Sequence, residues 1–154
     1  MSTTIGVIAD THGLLRPEAI DVLRGCDFIL HAGDIGRQAV LSELEFIAPT
    51  YAIGGNIDKG GWAQDLPQKD FLEIDGCYFY LTHSLEALDL DPAAADIDAV
   101  IFGHTHWPES YTKEGVLYFN PGSAGPLRQK STVSMGRIYT LQSGLTSEII
   151  TLTS

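Results

Sequence analysis

Residues 3–12, TTIGVIADTH, run from a β-branched apolar segment directly into a carboxylate and an imidazole. The apolar part reads as a short strand, and Asp10-Thr-His12 then stands at its carboxyl end. Helix and strand signals alternate from there. RPEAIDVLRG (16–25) is a helix, with Pro17 near its start and Gly25 near its end. DFILHAG (27–33) is a second strand. RQAVLSELEFI (37–47) carries Val40, Leu44 and Ile47 at helical spacing, and TYAIGG (50–55) is a third strand. Strand, helix, strand, helix, strand predicts a parallel βαβ core.

The second half is richer in strands. DFLEID (70–75) and CYFYLTH (77–83) flank Asp75-Gly76, a two-residue hairpin signal. DPAAADI (91–97) predicts a helical turn or two. AVIFGH (99–104), GVLYFNPG (115–122), MGRIYTL (135–141) and LTSEIITL (145–152) add further strands. With no repeat, low-complexity tract or linker, residues 1–154 read as a single α/β domain, two packed sheets with helices on the outer faces.

Composition narrows the function. Hydrophobic residues make up 44% and charged residues 19%, as in ordinary globular domains. The net charge of −11, from 9 basic and 20 acidic residues, argues against nucleic acid and against an anionic membrane surface. A small anionic substrate stays open, because a bound metal can invert the local field. The opening MSTTIGVIAD lacks a basic segment followed by a long apolar one, so no signal peptide is expected. No stretch has the length of a membrane span. Cys26 and Cys77 fit no CxxC pattern and read as small buried hydrophobes in a reducing compartment, with the cytoplasm expected.

The other strands end as the first does. Gly33-Asp34 follows the second, Gly55-Asn56 the third, and His83 a later one. VIFGHTHWPE (100–109) ends its apolar run in Gly103 and then delivers His104 and His106. Ligands of open α/β sheets bind outside the carboxyl ends of the strands, so five segments send polar groups to one edge. Four of the five histidines lie there. Imidazole and carboxylate together suit divalent first-row metals, and no thiolate is at hand to select a softer one. Each piece alone would be read as a turn; their joint order and placement make the case for a metal site.

Taken in order, Asp10-Thr-His12, Gly33-Asp34, Gly55-Asn56, His83 and Gly103-His104-Thr-His106 resemble the calcineurin-like metallophosphoesterase family. The similarity is closest to its small bacterial and archaeal phosphodiesterases, whose Asn-Pro-Gly-Ser segment matches NPGSAGPLR (120–128). The resemblance implies a four-layer α/β/β/α sandwich with two mixed sheets. It implies one metal on Asp10, His12, Asp34 and His106, and a second on Asp34, Asn56, His83 and His104, with Asp34 bridging. A bridging carboxylate screens the repulsion between two cations. The two divalent ions, manganese first with iron, zinc, nickel, cobalt and magnesium compatible, would hold a bridging hydroxide for in-line attack on phosphorus. Asp34, Asn56 and His104 are the implied catalytic residues, and Asn120, Ser123 and Arg128 the expected contacts to a small phosphoester. A homo-oligomer is also compatible with the resemblance.

Two positions depart from the family pattern. Ile57 stands where many members carry a proton-donating histidine, and Ser84-Leu85 replaces a Gly-His that often follows the His83 position. The first departure predicts a preference for leaving groups that need no protonation. Around these residues, His31 reads as a support for the site through a backbone contact, and Asp58 as a residue that orients a ligand or closes a turn. Trp62 and Trp107 either line the substrate entrance or cover apolar surface. Three other functions share this pattern: a non-catalytic protein-binding module, a phosphomonoesterase and a nuclease.

Overall fold

The structure, a computed structural model, describes residues 2–127 and 132–153. The strands are β1 (Thr4–Ile8), β2 (Phe28–His31), β3 (Thr50–Ala52), β4 (Lys69–Ile74), β5 (Cys77–Thr82), β6 (Ala99–Ile101), β7 (Glu109–Lys113), β8 (Val116–Asn120), β9 (Val133–Leu141) and β10 (Gly144–Thr153). The helices are α1 (Pro17–Leu23) and α2 (Gln38–Ile47), with short 3₁₀ turns at Gly61–Ala63 and Leu85–Ala87. Among the described residues no helix is long and apolar enough to cross a membrane.

Two five-stranded sheets result, in the orders β10-β9-β1-β2-β3 and β4-β5-β6-β8-β7. β1, β2 and β3 are parallel to one another, as are β5, β6 and β8; antiparallel strands flank both trios. Both sheets are therefore mixed, and six parallel strands set up the edge at which their following loops emerge.

Strand alternation builds the layers. Ile5 and Val7 face Leu81, Ile101 and Phe119 in the core between the sheets, while Ile8 points the other way, towards α1 and α2. Pro17 starts α1 without needing its missing N–H, and Glu18 adds a negative charge to its first turn. Gly6 permits the packing: a Cβ there would meet Leu23 Cδ2 at 2.5 Å. On α2, Val40 and Leu44 lie one turn apart and are buried against Ile8 and Ile29 in one cluster. Truncating Leu44 to Ala should cost about 2–5 kcal/mol in lost transfer energy and cavity formation.

The second sheet has a thinner cover. Tyr80, Val100, Phe102 and Tyr118 are buried under the Leu85–Ala87 turn and residues 88–97. DPAAADI forms consecutive turns, with Ala95 N–H closing one helical turn on Asp91 O; Asp96 is left-handed (φ 59°), and Ile97 N reaches back to Pro92 O. β7 is a difference from the sequence reading. All five of its residues are exposed, so no apolar alternation marks it; pairing with β8 makes it a strand.

Candidate metal centre

The loops after β1, β2, β5 and β6 converge on one another through their backbones. Asp10 N–H donates to Gly33 O at 3.0 Å, His12 N–H to Asp34 O at 3.0 Å, and Gly103 N–H to His83 O at 3.0 Å. Five of the expected ligands adopt left-handed backbone: Asp10, His12, Asp34, His104 and His106 have φ between 48° and 76°. Asp and His tolerate that region better than most residues, yet the chain reverses sharply at each. His104 and His106 are thus on a tight turn, not on a continuing strand.

The side chains form two groups of donors. Asp10, His12 and His106 place ligand atoms within 4.8 Å of one another, and so do Asp10, Asp34 and His83. The rings of His12 and His106 have centroids 5.3 Å apart; those of His83 and His104 are 5.1 Å apart. Asp34 Oδ2 lies between the groups, 3.7 Å from His12 Nε2 and 3.3 Å from His83 Nε2. Asp10 Oδ1 is similarly central, 3.7 Å from His106 Nε2 and 3.9 Å from His83 Nε2. Asn56 is exposed and lines a cavity of about 200 Å³ with Lys69, His83 and Ser84. A larger cavity of about 490 Å³, on α1 and α2, contains none of these donors.

Supporting contacts fix which atoms face inward. His83 Nδ1–H donates to Ala32 O at 2.7 Å, which turns Nε2 towards the carboxylates, the arrangement typical of a metal-bound imidazole. Asp10 Oδ2 accepts from His104 N–H at 3.1 Å, and Asp34 Oδ1 from Ile57 N–H at 3.2 Å. A Cβ on Gly55 would lie 2.2 Å from Asp34 Oδ1, so only glycine lets that loop close over the carboxylate. The two carboxylates and three imidazoles of these groups are hard-to-borderline donors of a kind that fits divalent first-row ions, while His104 and Asn56 stand beside His83 and belong to neither group.

Electrostatics follow from this crowding. Burial opposes ionisation of Asp34, but the hydrogen bond and charge of His83 and the Ile57 N–H outweigh it and hold the carboxyl at about 2. Burial likewise disfavours a charged His83, yet Asp34, the Ala32 carbonyl and Asp10 together raise it. His31 is different: complete burial pushes it down to about 4, against the pull of Asp58. It stays neutral, with Nδ1 accepting from Gly33 N–H at 3.1 Å and Nε2 3.0 Å from Thr11 Oγ1, which itself donates to Ile35 O. It ties β1 to β2 beneath the donors.

The remaining expected residues fall in several places. Asn120 and Ser123, read from sequence as substrate contacts, are buried. Asn120 Nδ2 donates to Gly103 O and Thr105 Oγ1 and its Oδ1 accepts from Gly122 N–H; Ser123 Oγ donates to Asp10 O. Their polar side-chain atoms are taken up in holding the loops that carry Asp10 and His104. Arg128 lies outside the described residues. Trp62 packs on the α1/α2 core, whereas Trp107 is exposed. Ser84 Oγ accepts from Glu86 N–H and caps the Leu85–Ala87 turn. Asp58 has a fuller role than a turn: its carboxylate accepts from Ile35, Gly36 and Gly55 N–H at 2.8–3.0 Å, clamping the Asp34 loop to the Asn56 loop. Only its position two residues after Asn56 marks it in the sequence.

Residues 3–143 match the calcineurin-like phosphoesterase superfamily domain. A probable metallophosphoesterase of Methanothermobacter thermautotrophicus is 37% identical over 134 residues, covering 77% of this chain and 76% of that protein. A phosphodiesterase of Methanocaldococcus jannaschii is 32% identical over 136 residues, covering 77% and 82% respectively. Among solved structures, vacuolar protein sorting 29 of Cryptosporidium parvum superposes with a TM-score of 0.79 at 18% identity, over 97% of this chain and 98% of that one.

Proposed function

Because the chain belongs to the calcineurin-like phosphoesterase superfamily, we propose that it is a cytoplasmic phosphodiesterase of small phosphoesters, with two divalent ions, manganese first. The observation that carries this reading is the position of Asp34 Oδ2 between His12 Nε2 at 3.7 Å and His83 Nε2 at 3.3 Å. One carboxylate between two donor groups is what a bridged pair of ions requires, and similarity to an archaeal phosphodiesterase supports the diester.

When bound, such ions acidify water to near-neutral pKa and neutralise charge on the phosphoryl oxygens. Asp10, His12, Asp34 and His106 would hold one, and Asp34, Asn56, His83 and His104 the other. The chain does the positioning. Ala32 O fixes the His83 ring, His104 N–H fixes Asp10, and Asp58 holds the Asp34 and Asn56 loops together. His104 is exposed at the mouth, where it can meet the phosphoryl group as well as an ion. Ile57 cannot donate a proton, so the leaving group must depart as a stable anion.

The test is a screen of chelator-stripped protein against manganese, zinc, iron, nickel, cobalt and magnesium. Its substrates are a 4-nitrophenyl diester and a dialkyl diester. Metal-dependent release of 4-nitrophenolate with little alkyl turnover is the expected result. Inactivity with every metal would favour a second reading, a protein-binding module, which likeness to a protein-sorting protein brings forward.

A further inference from the structure

We infer that the metal centre opens into an apolar rim, and that the substrate is a phosphodiester carrying an aryl or comparably bulky apolar group on the ester that is not cleaved. This rests on the phosphodiesterase reading above and specifies its substrate class. The exposed side chains that follow the ligands carry the argument. Leu14 comes two residues after His12, Ile57 directly after Asn56, Trp107 directly after His106, and Leu127 four residues after Ser123, which holds Asp10. They are 38%, 44%, 51% and 66% exposed.

An exposed leucine by itself needs no explanation. Here four large apolar side chains stand on four separate loops, and the backbone brings those loops together. Leu14 N–H donates to Thr11 O and Ile57 N–H to Asp34 Oδ1, so both residues are anchored against the donor set. The Leu127 loop is held by Ala124 N–H to Ala9 O and by Arg16 to Gly125 O. Trp107 N–H donates to Thr105 Oγ1, itself bonded to Asn120. All four are more than a third exposed and none belongs to a core cluster.

An apolar rim around a polar centre marks a ligand groove more than a solvated surface. Chain charge points the same way. At a net charge of −11, a multiply anionic substrate is repelled, whereas a diester carries a single negative charge. An apolar substituent then supplies binding energy by leaving water at the rim while the phosphoryl group meets the donors.

The experiment compares phenyl 4-nitrophenyl phosphate with methyl 4-nitrophenyl phosphate on the metal-loaded protein. The leaving group is common to both, so any difference reports the other substituent. The expected result is a kcat/KM ratio of about tenfold or more in favour of phenyl, carried mainly by KM. In Leu14→Ser/Trp107→Ser the ratio should fall towards one with metal content retained. Leu127→Ser, further from the ligands, should lower it partially. A ratio near one in the wild-type protein would overturn the inference, as would a phenyl preference that survives all three substitutions. Absence of 4-nitrophenolate from both esters would instead overturn the phosphodiesterase reading and this one with it.

Discussion

Two of the regions with left-handed backbone use it for opposite reasons. In the hairpin turns, Asp75 and Glu114 have φ of 54° and 53°, and each precedes a glycine, Gly76 or Gly115, that is also left-handed. These are type I′-like turns in which the conformation serves the local reversal, and both residues are exposed, although the Asp75 carboxylate also accepts from Thr3 and Thr140. At the strand ends, Asp10, His12, Asp34, His104 and His106 adopt the same conformation, but two of them are buried and four of them, all but His104, place donors in two adjoining clusters. There the conformation serves placement, and the surrounding hydrogen bonds must hold it against a cost of about 1–2 kcal/mol per residue. Equal dihedrals thus carry different constraints.

The sharpest way to separate the regions is to remove a donor. Asp34→Ala should reduce metal-stimulated hydrolysis to background and sharply lower metal content, read by nitrophenolate release and elemental analysis. Retained activity would sink the bridging role. Removing a holder comes next. Asp58→Ala strips three backbone N–H groups of their acceptor and should cost about 3 kcal/mol in denaturant unfolding, with activity falling more than stability explains. Asp58→Asn should recover part of both, and indifference to either change would show that the clamp is dispensable.

His31 tests the same support through pH. Its folded pKa of about 4 lies below the ordinary 6.5, so between those values the unfolded chain binds a proton that the folded chain refuses. Its contribution is complete above pH 6.5 and lost as pH falls towards 4, about 3 kcal/mol in all. The difference in unfolding free energy between the wild type and His31→Gln, followed from pH 7 to 4, should change by that order. A flat difference would show that His31 is charged where it stands. The smallest effect belongs to the hairpin: Glu114→Gly should stabilise by up to about 1 kcal/mol and leave turnover untouched, whereas His106→Gly relieves the same dihedral and abolishes metal binding.

Sequence pattern revealed the parts of the fold that depend on local chemistry. β1, β2 and β3 announce themselves by apolar runs, and the clustered carboxylates and imidazoles by following strands, because strand ends and polar residues are adjacent in the chain. β7 could not be seen, since Glu109–Lys113 is exposed throughout and owes its conformation to β8. Asn120 and Ser123 look like substrate contacts in sequence, for a turn of Asn, Pro, Gly and Ser shows nothing of its burial. Asp58 illustrates the same limit, because its three partners lie on loops separated by some twenty residues.

The donors also divide between the two sheets. Asp10, His12, Asp34 and Asn56 follow strands of the first, and His83, His104 and His106 follow strands of the second. An ion held by both sets would therefore be a further cross-link between layers joined by the apolar core and by hydrogen bonds such as His104 N–H to Asp10 Oδ2. Folding and metal supply then become linked quantities, with stability gained as RT ln(1 + [ion]/Kd). For a chain that held such an ion, its scarcity would be felt twice, as lost turnover and as a larger unfolded fraction open to proteolysis.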